Sequence, residues 1–132
     1  GDEDARDPGG EWRTLRGWTL ASSLGRRYAA VSGDVNPIHL FRATARPFGF
    51  RSQILHGRCI EALVAHSLVE SVLGGDPGAL RRITVRFSAP LELPAQVTLQ
   101  AADRPGGGFF RVVGDPTARP YAEGTWTGVA QG

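Results

Sequence analysis

At 132 residues the chain has room for one hydrophobic core and not two. Its hydrophobic and charged fractions, 41% and 21%, are those of an ordinary globular protein, and no apolar run reaches the ~18–20 residues of a membrane-spanning helix. One cysteine excludes an intramolecular disulfide and a cysteine-built zinc site, and a net charge of +2 carried by 15 scattered arginines without a lysine excludes a nucleic-acid footprint.

Residues 1–10 (GDEDARDPGG) are acidic, polar and aperiodic, which predicts a disordered tail and no secretory leader. With one free cysteine a cytoplasmic setting is expected, and residues 11–132 are expected to form a single domain. Trp12, Thr14 and Arg16, then Trp18 and Leu20, alternate imperfectly and predict a strand or extended arm. Ser22 or Ser23 is placed to cap a short helix through LGRRYAAV, which Gly33 ends. The loop SGDVNPIHL follows, with Pro37 barring continuous helix. Residues 41–55 carry weak, mixed signals. A long helix opens at His56-Gly57, and its apolar positions spread almost around the cylinder, which predicts a helix wrapped by other structure and ended by Gly74-Gly75.

The remainder alternates. Ile83, Val85 and Phe87 mark one strand, Val97, Leu99 and Ala101 a second, residues 109–113 a third and residues 121–129 a fourth, with turns at 105–108 and 114–116. This order of elements predicts an α+β fold in which an antiparallel sheet curves around one buried helix, polar face outward.

The loop that joins the two helices carries the chemistry. Asp34 and His39 lie five residues apart, with Gly33 before them and Pro37 between, so that one turn can direct carboxylate and imidazole to a common point. Such a pair serves acid–base catalysis near neutral pH. Ser-Gly-Asp and Asn-Pro are equally ordinary turn sequences, and spacing alone leaves both readings open.

The segment Tyr28-Ala-Ala-Val-Ser-Gly-Asp-Val-Asn-Pro-Ile-His39, with Ala45 six residues on, resembles the signature of the MaoC-like (R)-specific enoyl-thioester hydratases and dehydratases. The likeness continues at His56-Gly57 and at residues 83–90 (ITVRFSAP) and spans about residues 18–130. It implies the hot-dog fold, a long central helix wrapped by a curved antiparallel sheet. It also implies reversible syn addition of water to a trans-2-enoyl thioester, giving a (3R)-3-hydroxyacyl thioester, with Asp34 and His39 as the catalytic pair. The thioester oxygen gains enolate charge in that reaction, and Gly57, at the amino end of the central helix, is expected to receive it on its N–H. Ser32, Gly33 and Asn36 are expected to support the loop.

Phe48, Phe50, Ile54 and Leu55 are expected to wall the acyl pocket. Arg58 replaces an apolar residue of the family and is placed either for a phosphate of the substrate or for solvent. Glu61 lies one turn beyond Gly57, near where the hot-dog dehydratases of hydroxyacyl carrier protein keep a catalytic acid, and is a second candidate. The resemblance implies a coenzyme A or acyl-carrier-protein thioester as substrate, a homodimer or a heterodimer with another hot-dog chain, no cofactor, no metal and no membrane association. His39, His56 and His66 lack the spacing of a helical zinc site. A hot-dog thioesterase and a non-catalytic acyl- or partner-binding subunit are the alternatives.

Overall fold

The computed structural model describes residues 11–33, 36–114 and 119–129. The expected tail at 1–10, Asp34, and most of the turn expected at 114–116 lie outside the described residues. Five strands form one antiparallel sheet: β1 (Arg13–Leu20), β2 (Leu80–Phe87), β3 (Ala95–Arg104), β4 (Gly107–Val113) and β5 (Ala122–Gly128), in the spatial order β1-β3-β4-β5-β2. Three α-helices precede β2: α1 (Leu24–Ser32), the single turn α2 (Arg42–Ala45) and the long α3 (Gly57–Ser71). The mixed α+β architecture is the hot-dog fold, with α3 as its central helix. Among the described residues no helix is long and apolar enough to cross a membrane.

Alternation explains the sheet. Val97, Leu99 and Ala101 of β3, Phe110 and Val112 of β4, and Ala122 and Trp126 of β5 point to one face. There they bury against Cys59, Ile60, Val64 and Leu68 of α3. On the opposite face Arg86, Glu123, Arg111 and Gln100 stand in register across β2, β5, β4 and β3. Opposite charges on neighbouring strands suit that solvated face, and Arg111 donates to Gln100 Oε1 at 2.7 Å.

Three local expectations are corrected. Ser23 occupies the N-cap of α1 but makes no capping bond through its side chain. Gly107 and Gly108 belong to β4 and not to the turn, which tightens to Pro105-Gly106 between the paired Arg104 and Gly107. The central helix is not covered all round: Arg58, Ala62, His66 and Glu70, spaced by four, form an exposed stripe. Its last helical residue is Ser71, and Gly74 and Gly75, both with positive φ, shape the exit that follows. Gly33 ends α1 as expected, in the left-handed conformation with its N–H on Ala29 O.

Candidate active site

The loop after α1 is folded by its own sequence. Asn36 caps a 3-10 turn (Pro37–His39) by accepting the Ile38 N–H on Oδ1 at 3.2 Å, while Pro37 supplies the φ that the first position needs. Ser32 and Gly33 close α1 immediately before it. Thr44 Oγ1 donates to Pro37 O at 2.7 Å, which ties the turn to α2.

His39, the last residue of the turn, is held on several sides. Its Nδ1 lies 2.8 Å from Ile54 O. A carbonyl only accepts, so Nδ1 carries the proton and Nε2 is the basic nitrogen of the neutral ring. The ring stacks on that of His56, centroids 3.9 Å apart and planes 23° from parallel. His56 is buried, and Tyr28 of α1 leans on it from 4.8 Å. Gly25 of α1 is buried so closely against His39 that any Cβ there would overlap the His39 carbonyl oxygen. Arg26 donates to Leu40 O at 2.8 Å and lies over the Phe41 ring at 4.7 Å. One face of α1 thus fixes the histidine from behind.

The amino end of α3 stands beside this histidine. Bonds within the helix begin with the N–H groups of Cys59 and Ile60, both on His56 O, so Gly57 and Arg58 contribute amides that precede the ladder. The space that a Gly57 Cβ would fill is taken by the Phe87 ring, 3.0–3.4 Å from it. A pocket of ≈ 370 Å³ opens between these groups, lined by His39, Ile54, Leu55, Gly57, Ile60, Phe87 and residues 88–91.

Of the residues read as candidates from sequence, the fold brings His39, Gly57, Ile54 and Leu55 to one pocket. Phe48 is 63% exposed, Phe50 is half-buried, and neither lines that pocket. Arg58 lies on the exposed stripe of α3, and Glu61 is half-buried beside it; they too are absent from the pocket wall. Sequence reasoning missed Phe87 and residues 88–91 as wall, and Gly25, Tyr28 and His56 as supports. In sequence, residues 87–90 (FSAP) carry only a likeness to the family. What carries them to the site is a short ribbon in which Leu55 N–H donates to Leu91 O and Leu93 N–H to Gln53 O, each at 2.8 Å. Cys59 is packing: burial pushes its thiol above the ordinary range, away from the reactive thiolate.

A hot-dog sheet around one long helix, with a histidine sharing a pocket with the helix's first residue, defines a class shared with known proteins. The family model described as MaoC like domain matches residues 4–106, and the chain belongs to that family. It is 42% identical over 82 residues to 3-hydroxyacyl-thioester dehydratase X of Mycobacterium tuberculosis, an alignment covering 62% of this chain and 28% of that protein. The crystal structure of HtdX from M. tuberculosis superposes with a TM-score of 0.75 and 32% identity, over 93% of this chain and 49% of that one. The (R)-hydratase from A. caviae involved in PHA biosynthesis shares the fold, with a TM-score of 0.74 and 22% identity over 92% of this chain and 96% of that one. The chain therefore spans less than half the length of the first two.

Proposed function

We propose that the protein catalyses reversible syn hydration and dehydration between trans-2-enoyl and (3R)-3-hydroxyacyl thioesters, a lyase reaction, on coenzyme A or an acyl carrier protein. The observation that carries this reading is the pinned His39. With Nδ1–H given to Ile54 O, the opposite ring nitrogen is basic, and the ring lines a pocket that also reaches the start of α3. Asp34 and His39 form the acid–base pair. One takes a proton from water as its oxygen adds at the β-carbon, and the other delivers a proton to the α-carbon. Both belong to one loop, so both additions occur on the same face of the double bond. Addition of water at the β-carbon, or loss of the α-proton in the reverse direction, moves negative charge onto the thioester oxygen, and protonation of the α-carbon discharges it. The Gly57 N–H and the positive end of α3 stabilise that charge.

The reading further includes residues 11–132 as one hot-dog domain, a second hot-dog unit beside it as homodimer or heterodimer partner, and a cytoplasmic setting. Turnover of crotonyl and longer enoyl thioesters, followed by loss of enoyl-thioester absorbance with free thiol titrated in the same samples, tests it. Hydration without thiol release supports the reading. Thiol release without hydration would replace it with a thioesterase, and the absence of both would leave a binding subunit.

A further inference from the structure

A second pocket, polar and ≈ 480 Å³ in volume, lies next to the acyl pocket, with Arg42, Arg51, Ser52, Glu92, Gln96 and Tyr121 in its lining. The two pockets share Pro90. They follow one another along the ribbon of residues 51–55 paired with 91–93: Ile54 and Leu55 line the acyl pocket, Arg51 and Ser52 the polar one. At about 3.3 Å per extended residue, Arg51 can stand at most roughly 10–13 Å from Ile54 and Leu55.

The charge on this side is one-signed at the level of sequence. Residues 41–51 contain three arginines and no carboxylate. Arg42 and Arg51 are both exposed, so their guanidinium groups meet a ligand arriving from solvent. The opposing charge is Glu92, whose Oε2 accepts the Arg51 backbone N–H at 2.7 Å and is thereby tied to the ribbon. Two guanidinium groups against one carboxylate leave the pocket positive. Arg58 lines neither pocket.

We propose that Arg42 and Arg51 bind the phosphate that ends the pantetheine arm of the acyl thioester. The proposal rests on the thioester reading above and adds the part of the substrate that the acyl pocket does not hold. The arm places two amide units between its sulfur and its phosphate, an extended chain long enough to run from the start of α3 past Pro90 to the two arginines. A forked guanidinium matches phosphate oxygens in pairs, and Gln96 and Tyr121 supply further polar groups in the same pocket.

The test compares kcat/KM for one enoyl group carried on coenzyme A, on 4′-phosphopantetheine and on pantetheine, with wild type, Arg42→Gln, Arg51→Gln and the double variant. The ratio of phosphopantetheine to pantetheine should fall about tenfold per arginine, the size of one charge-assisted contact, and the coenzyme A ratio should fall with it. Equal loss on all three thioesters would make the arginines structural and overturn the proposal, as would no loss on any. Loss confined to coenzyme A would assign them to its nucleotide and overturn it too. A carrier-protein thioester assayed in parallel separates the two sources of the phosphate, because the substitutions should lower whichever one wild type uses. If wild type hydrates no thioester, the functional reading fails separately. Calorimetric titration with free coenzyme A then decides the arginines, and less than a tenfold weakening in the double variant overturns their role.

Discussion

His39 owes its orientation to neighbours on three other segments of the chain. The Ile54 carbonyl selects its tautomer, His56 supports its face, and the missing Cβ of Gly25 leaves room for the His39 carbonyl. Removal of the imidazole in His39→Ala, or of the charge in Asp34→Asn, should each lower kcat by a factor on the order of 100 or more while the circular dichroism spectrum is kept. Retention of more than about a tenth of wild-type rate in either would remove that residue from the proton transfers. Glu61→Gln is the contrast: half-buried beside the exposed stripe and not in the pocket wall, it should stay within a few-fold of wild type. Gly25→Ala tests the support from behind. Overpacking against a backbone carbonyl should cost about 1–3 kcal/mol in a denaturant melt, and the displaced imidazole should lower kcat by about tenfold or more. A variant with wild-type kcat would show that α1 packs on the loop without setting the position of the ring.

At the scale of elements, the parts that follow a period were readable in advance. β2 to β5 alternate because one face is buried on α3, and α3 shows its turns through Ile60, Val64 and Leu68. Where a residue answers to a distant neighbour, the pattern misleads. Gly107 and Gly108 read as turn from their glycines alone, yet a Cβ on Gly108 would collide with the Trp126 ring, and that aromatic lies eighteen residues on. Ala62 widens the apolar face of α3 in sequence, yet it lies on the exposed stripe with Arg58, His66 and Glu70. The site divides the same way. His39 and Gly57, which share the pocket, lie in the contiguous signature and at the helix start, and Asp34 lies outside the described residues, whereas the wall from Phe87 onward depends on the ribbon that joins residues 53–55 to 91–93. Under the proposed function, control of acyl length is expected at the end of β2, because Phe87 lines the pocket and Phe48 and Phe50 do not. Phe87→Ala should shift preference toward longer enoyl chains. Each further methylene accommodated is worth at most ~0.8 kcal/mol, so two carbons should change the ratio of kcat/KM values by roughly tenfold. Phe48→Ala should leave the profile over four to ten carbons parallel to wild type. A Phe87→Ala profile parallel to wild type would place the chain elsewhere.

The described residues form a single sheet whose outermost strands are β1 at one side and β2 at the other. An edge strand presents unpaired amides and carbonyls, and native proteins either blunt such an edge or cover it. The two edges differ in what lies beside them. β1 carries a bulge between Thr14 and Arg16, and none of its residues lines the pocket. β2 ends in Phe87, a large aromatic that is 49% exposed and forms part of the pocket wall, so a unit docked along β2 would cover the edge and close the pocket mouth together. The expected assembly therefore places a second hot-dog unit along β2, and light scattering should report a particle of at least twice 14.1 kDa. Hydrogen exchange locates the interface. In β2 the amides that do not bond to β5 should be protected at micromolar concentration and should lose protection on dilution, together with activity, while the outward amides of β1 exchange freely. A stable, active monomer, or an assembly in which β1 is the protected edge, would show that the pocket closes by some other means.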